Sequence, residues 1–547
     1  MVKVNGRLEL TWFNKDKSLF YDTEKKEYEW VNKKDPRVSE PRILLEKESY
    51  GDKNSENVLI KGDNLLALKA LIPDYSKRVK LVYIDPPFNT GQAFENYDDG
   101  LENSIWLTMM RDRLNLLKNL LSDDGSIFVS IDDHQLHRLK IIMDEVFGET
   151  NFVNTIAIKD SHPSGLKTAH KNKTIIKTKS YLLVYRKSDK LRLTPQYELR
   201  YDWDSHYNGF LIFTEGKPKL RKLIDVLVEE NIYPQGTKAN QISLTNRLFE
   251  KFCYENTDKI VQSTKELPKG LKEESLSKPN KVIVSKNKKD RTVYAYNGRR
   301  LAPLSESFNN VGIDGSYQKK YSLLLCDFWN DIDFNNSQNE GGVSFPASKK
   351  PEMLIARILS MSTNEGDLIL DSFGGSGTTG AVASKMKRNW ILIEMGDHAK
   401  THCLKRIKNV VSGKDQTGIS KKLNWKGGGG FKYFELGDSL FVEDKDLHLT
   451  VLNPKMYNGS LIRAVLKVEG FKLLHPDNGL HGISGKTIAH VTEQYLNQTY
   501  VDTLLREVGD KADFVVIYAK TISSKIELPE NVEIRKIPDV LLTKFKI

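Results

Sequence analysis

Cysteine is almost missing from this chain of 547 residues. Cys253, Cys326 and Cys403 are all it has, and none stands at C-x-x-C spacing from another. That argues against a disulfide framework and a cysteine-built zinc site, and it fits a reducing compartment. Long apolar runs are missing too. None approaches the ~20 residues of a membrane-spanning helix, and the start Met-Val-Lys-Val-Asn-Gly lacks the apolar core of a leader. A soluble, cytoplasmic protein with no membrane partner is therefore expected. No internal repeat or low-complexity tract is found. An acidic excess is also absent, because Lys and Arg outnumber Asp and Glu by 83 to 72. The resulting cationic surface suits a polyanion.

The length exceeds what one core supports, so two or three domains are expected. Two short stretches far apart in the chain carry the chemistry. In the first, Val79 to Ile84 reads as a buried strand that the Pro86-Pro87 pair ends and stiffens. Asp85 then stands at the strand's carboxyl end, with Phe88 beside it. Prolines donate no backbone hydrogen bond, so their carbonyls are presented from a rigid loop. The Asp85 carboxylate and the Pro86 carbonyl can accept the two N–H groups of an exocyclic amine, and Phe88 can stack on the flat base. An ordinary strand-ending turn would look the same.

In the second, Asp367 to Asp371 reads as a strand, and Gly375-Ser-Gly377-Thr-Thr-Gly380 follows the G-x-G-x-x-G pattern that opens a helix. Glu394 ends the next strand, Trp390 to Ile393, where a ribose hydroxyl is commonly held. The pocket is read as one for an adenosine-bearing cofactor, a pattern that nicotinamide oxidoreductases share. A P-loop is disfavoured because Ala381-Val382 stands where Lys-Ser/Thr is required. Both loops leave the carboxyl ends of predicted parallel strands, the edge along which open α/β sheets bind ligands.

Asp-Pro-Pro-Phe ahead of Phe-Gly-Gly-Ser-Gly resembles the amino-methylating DNA methyltransferases of the β order, and most of all the Mod subunits of Type III restriction–modification systems. The resemblance covers roughly residues 1 to 440. Phe88 departs from the usual Tyr, and Gly374 from a frequent Ala. It implies a Rossmann-like α/β methyltransferase sheet with circularly permuted motifs, an inserted target-recognition domain and a small C-terminal α/β appendage. The implied activity is methyl transfer from S-adenosylmethionine to the N6 amine of a flipped-out adenine in double-stranded DNA. Aspartate in the first position favours adenine over the N4 amine of cytosine, where Ser is more usual. The implied partners are DNA, a second copy in a homodimer, and a helicase–nuclease restriction subunit; a solitary methyltransferase and a non-catalytic specificity subunit are the alternatives. The catalytic set is Asp85, Pro86, Pro87 and Phe88. The cofactor set is Asp63, Lys350, Asp371, Phe373, Gly375, Gly377, Thr378 and Glu394. Lys350 enters by resemblance, as half of a Lys350-Pro351 cofactor-side pair.

Taken in order, residues 1–56 form an N-terminal arm with Trp12, Phe13, Tyr21, Tyr28 and Trp30, too polar for a core of its own. Residues 57–150 form the catalytic half. In it, Val58 to Lys61 is a strand, Asp63 caps helix Leu65 to Leu71, and Ile105 to Leu121 is an amphipathic helix. Asp123-Asp-Gly125 is expected to turn, and Asp132-Asp133 to cap a helix ending near Gly148. His134-x-x-His137 reads as a surface pair at that helix start, so no metal is expected. Residues 151–340 form the inserted DNA-binding domain. Between Lys159 and Arg192 stand ten Lys/Arg against two acids, with His162, His170, Tyr181 and Tyr185; Lys265 to Arg300 carries eleven against four. Such runs attract phosphate, while aromatic and polar groups between them can reach bases. Residues 341–430 form the cofactor half, with helix Glu352 to Ser362, a helix from about Asp397 to Val411, and a break at Gly427 to Gly430. Residues 431–547 are read as a dimerisation or partner-docking region.

Overall fold

The computed structural model describes residues 8–22, 25–40, 42–90, 101–162, 171–265, 267–287, 290–313, 316–345, 348–439, 441–444, 449–453, 460–474, 480–537 and 539. His170, and Pro346 and Ala347 just ahead of the Lys350-Pro351 pair, lie outside them. The chain forms two compact units, 195–325 and the remainder.

The larger unit is built on a ten-stranded sheet. Its strands, numbered along the chain, are β1 Leu44–Gly51, β2 Val58–Lys61, β3 Val79–Ile84, β4 Leu121–Ile131, β5 Phe152–Lys159, β6 Lys179–Arg186, β7 Phe328–Trp329, β8 Leu368–Asp371, β9 Asn389–Glu394 and β10 Gly430–Leu436. Their order across the sheet is β7-β5-β6-β4-β3-β8-β9-β2-β10-β1. From β4 to β10 every neighbouring pair is parallel. The central strands are near-continuous apolar runs because both faces are covered, as parallel sheets require.

The order explains how distant residues meet. β8 and β9, from the second half of the chain, lie between β3 and β2 from the first, with Ile369 and Leu370 paired to Leu81 and Val82. The loops after β3 and β8 therefore diverge from neighbouring carboxyl ends, the arrangement that opens a ligand crevice in α/β sheets.

Helices α1 Asn64–Tyr75, α2 Asn103–Leu120, α3 Leu136–Phe147, α4 Glu352–Ser362, α5 Thr378–Lys385 and α6 Lys405–Val411 accompany this sheet. Trp106, Met110, Leu114 and Leu117 of α2 are fully buried in its main core. The N-terminal arm forms a hairpin, Ser18–Asp22 with Glu27–Val31, and its Trp12, Tyr28 and Trp30 pack against the main core, while Phe13 stays exposed. Trp12 Nε1 donates to Thr108 Oγ1 at 2.7 Å.

Several expectations are corrected. Asp123-Asp-Gly125 lies inside β4, where the pairing register with β3 shifts. The N-cap of α3 is Gln135, with no side-chain cap; Asp132 instead binds the His134 backbone and ring, and Asp133 accepts from the Tyr181 hydroxyl. A π-helical segment, Ala399–Leu404, precedes α6. The insertion is shorter than 151–340, because β5 and β6 form an antiparallel hairpin that extends the main sheet through β4. β10 likewise places 430–436 in that sheet, paired with β2 and β1. Beyond it, a five-stranded sheet with helices Ser460–Glu469 and Gln498–Val508 has a core that includes Ile43.

The unit 195–325 carries a six-stranded antiparallel sheet and a three-stranded one. Its core gathers Tyr207, Phe210, Leu223, Leu227, Phe249 and Ile260. The basic stretch from Lys265 lies on this unit, with Lys269, Lys272, Lys281, Arg291 and Arg299 exposed. Among the described residues no helix is long and apolar enough to cross a membrane.

Candidate active site

A cavity of about 1570 Å³ opens at the carboxyl ends of β3, β8 and β9. Asp63, Asp85, Pro86, Pro87, Phe88, Lys350, Asp371, Phe373, Gly375, Thr378 and Glu394 all line it. Gly377 is the one expected site residue that does not.

On the β3 side the loop is braced from outside. The Trp106 indole of α2 donates to the Pro87 carbonyl at 2.8 Å, which fixes the loop without using Asp85 or the Pro86 carbonyl. Asp85 Oδ2 accepts from Lys350 Nζ at 2.6 Å, whereas Oδ1 is buried with no hydrogen-bond partner among the described residues. Burial pushes the Asp85 carboxyl above its usual range, and the Lys350 ammonium pulls it back. Lys350 Nζ also stands 4.9 Å from the centroid of the Phe88 ring. Lys350, expected on the cofactor side, thus contacts the loop after β3, at Asp85 and Phe88.

The β8–β9 side is more heavily hydrogen-bonded. Glu394 Oε2 accepts from Gly375 N at 2.6 Å, and Oε1 accepts from Met395 N at 2.8 Å and lies 2.8 Å from His398 Nε2. A carboxylate offers about four acceptor positions, so Oε2 retains capacity for a hydroxyl. Asp371 accepts from Phe373 N at 2.9 Å and Thr379 Oγ1 at 2.6 Å. Burial raises its carboxyl to about 7 against those two bonds, and the Asp85 and Glu394 charges add to the rise.

The glycines divide their work. A Cβ built on Gly375, at φ +52°, meets nothing closer than 3.8 Å, so one face of the loop is open for close approach. A Cβ on Gly377, at φ +78°, would lie 3.1 Å from Cys403 Cα; this glycine serves packing beneath the loop. On Gly380 it would lie 2.6 Å from Leu392 Cδ1, the helix-to-strand contact that the third glycine of such loops permits. Thr378 supports the loop from below, since its hydroxyl accepts from Arg406 Nη1 at 2.7 Å and Arg406 is itself held by fully buried Glu352.

Asp63 caps α1, accepting from Leu65 N at 2.8 Å, and pairs with Arg113 at 3.2 Å. Sequence reading passed over Arg113 and His398, whose partners are remote or reached through a turn, and gave only packing roles to Trp106 of the amphipathic helix and to Tyr21 and Tyr28, which bring the arm's hairpin to the cavity. It also passed over the ion pair of buried Asp132 with Lys177. That pairing changes the reading of the basic loop: Lys171 and Lys173 are exposed, while Lys177 neutralises a buried carboxylate. Ile175, between them, lines the cavity and is 95% exposed.

The architecture is the Rossmann-like methyltransferase fold in permuted order, with the catalytic-loop strand preceding the glycine-loop strand and additional inserted elements. The model of the N6_N4_Mtase family, described as DNA methylase, matches residues 79–405, and the chain belongs to that family. It is 35% identical over 416 residues to the probable type III restriction-modification enzyme HindVI Mod subunit of Haemophilus influenzae, covering 70% of this chain and 54% of that protein. It is 25% identical over 575 residues to the type III restriction-modification enzyme EcoP15I Mod subunit of Escherichia coli, covering 88% and 83%. It is 30% identical over 378 residues to the type II methyltransferase M.KpnI of Klebsiella pneumoniae, covering 64% and 83%. The chain thus spans about half the length of the HindVI relative.

Proposed function

We propose that the protein transfers a methyl group from S-adenosylmethionine to the N6 amine of adenine in duplex DNA, as the modification and recognition subunit of a restriction–modification system. The observation that carries this reading is the buried Oδ1 of Asp85, which has no hydrogen-bond partner among the described residues, on a proline-stiffened loop beside an adenosine-type glycine loop. A buried acceptor without a donor is costly, which marks a place where a substrate donor belongs.

The cofactor side fits the proposed cofactor. Glu394 Oε2 would take a ribose hydroxyl, Gly375 leaves its face of the loop open, and Asp371 and Phe373 line the same wall. When bound, S-adenosylmethionine supplies a methyl on a sulfonium, a strong electrophile with a neutral leaving group.

The protein's part is acceptance and orientation. The adenine amine is a poor nucleophile because its lone pair is delocalised into the ring. Asp85 and the Pro86 carbonyl accept its two N–H groups and draw the nitrogen toward tetrahedral geometry, so the lone pair becomes available. Such stabilisation is strong where water is excluded and the acceptors are held in advance. The base must first leave the stack, at a cost of a few kcal/mol. Stacking on Phe88 offsets about 1–3 kcal/mol of that. Ile175, exposed beside Lys171 and Lys173, is the kind of apolar wedge that occupies a vacated stack. Those lysines and the exposed cations of unit 195–325 serve phosphate attraction and target recognition. Aspartate rather than serine at position 85 favours adenine over cytosine. Homodimerisation and docking of a helicase–nuclease subunit, with the region beyond 440 contributing, complete the reading.

The test is transfer of labelled methyl from S-adenosylmethionine to DNA lacking adenine methylation, followed by mapping of the modified base. N6-methyladenine at one sequence context is expected. N4-methylcytosine, or no incorporation, contradicts the proposal.

A further inference from the structure

Lys350 stands where an adenine amine would be expected to stand. Its Nζ is 2.6 Å from Asp85 Oδ2 and 4.9 Å from the centre of the Phe88 ring, so a nitrogen already donates to the catalytic acceptor over the face assigned to the base. Only 15% of the Lys350 side chain and 16% of the Asp85 side chain are exposed, which makes this a sheltered pair rather than a surface bridge. We propose that Lys350 is a placeholder for the target amine: it holds Asp85 ionised and aimed while the pocket is empty, and the entering base displaces it. The inference rests on the base-methylation reading above.

Two physical arguments require the displacement. A base stacked on Phe88 needs the ring face that the ammonium now covers. The single positive charge of the sulfonium also passes to the nitrogen as the nitrogen–methyl bond forms and the sulfur–methyl bond breaks, and a second cation at Asp85 would oppose that transfer. An empty pocket has the opposite need, because a buried carboxylate left alone is driven toward its neutral form. The other groups near Asp85 do not meet that need. The Tyr83 hydroxyl, on the same strand, is held by Ser130 at 3.0 Å, and Asp371, on the neighbouring strand, adds negative charge with Glu394 behind it. Lys177, on the cavity wall, is already committed to Asp132.

The readout is the pH dependence of kcat and of kcat/KM for DNA at saturating cofactor, across about pH 5–9. The second reports groups of the enzyme before DNA binds, and the first those of the complex. In Lys350→Met the acid limb of kcat/KM should move upward by about 1–3 pH units, the size of an opposite charge's effect on a carboxylate. The acid limb of kcat should stay in place, because Lys350 has already left. Lys350→Arg, which keeps the charge, should hold both limbs near wild type. If neither limb moves in Lys350→Met, Lys350 does not keep Asp85 ionised; if both move together, it is a permanent partner; either result overturns the placeholder. S-adenosylhomocysteine calorimetry reports whether the variant is folded, and Lys350→Gln takes the same test should Met fail it. Absence of methyl transfer in the wild type would instead sink the underlying reading, so the two failures are distinct.

Discussion

The two loops that meet at the crevice are finished to different degrees. After β8, most polar groups of the glycine loop and its neighbours already have partners: Glu394 holds Gly375 N, Asp371 holds Thr379, and Arg406 braces Thr378 from the core, which leaves the buried Ser372 hydroxyl without a partner among the described residues. After β3, prolines stiffen the loop, yet among the described residues Asp85 has one oxygen without a partner and the other on a lysine. A preformed loop suits a cofactor that binds in one pose, because little ordering is left to do on binding. An acceptor left incomplete suits a group that arrives only for the reaction. On the proposed function, the difference fits cofactor binding at one loop and chemistry at the other.

Four variants press on that division. The largest effect is expected at Asp85. Asp85→Ala removes the charged acceptor, and methyl transfer should fall by about 10²–10⁴-fold, the usual worth of a positioned proton acceptor or charge-stabilising group. Glu394→Ala comes next. A hydrogen bond to a charged group contributes about 1.5–3 kcal/mol, so cofactor affinity by calorimetry should fall about tenfold to a hundredfold. Gly375→Val should do likewise, whereas Gly377→Val should lower the melting temperature first, since its side chain meets Cys403.

Asp371 gives a pH test. Its carboxyl lies at about 7 in the fold, above the usual range, so the native state binds a proton that the unfolded chain has released. Stability should therefore fall as pH rises from the unfolded value through about 7, and Asp371→Asn should melt higher than wild type at about pH 8, with the gap closing toward about pH 4. A gap that does not change with pH would assign the effect to something other than this carboxyl.

The smallest effects belong to the rim. Reversing Lys171 and Lys173 should reduce the slope of log K against log salt, by about 0.9 for each phosphate no longer neutralised. Ile175→Ala should slow methylation of paired duplex a few-fold and recover when the target base is mispaired, because the stack is then already weakened. No recovery would remove Ile175 from base extrusion.

Much of the crevice was legible in the chain. β3 and β9 announce themselves as short apolar runs ending in a carboxylate, and prolines or glycines mark the loops after β3 and β8. Asp63 reads as a cap because short-range rules decide it. The features that escaped depend on partners that sequence spacing does not encode. Lys350 pairs across 265 positions with Asp85, so its role could be carried over only from a motif, and the structure moves it to the other loop. Gly377 fits a pattern whose usual explanation is approach to the cofactor, yet Cys403 is what it approaches. β6 lies inside a basic stretch, and only its pairing to β4 and β5 reveals that the sheet continues.

The most direct test of the division is single-turnover methyl transfer at saturating DNA and labelled cofactor, with Asp85→Ala and Glu394→Ala compared side by side. The account predicts that saturation returns Glu394→Ala to near the wild-type rate and leaves Asp85→Ala orders of magnitude slow. A near wild-type rate for Asp85→Ala under those conditions would contradict it, and the chemistry would have to lie away from the β3 loop.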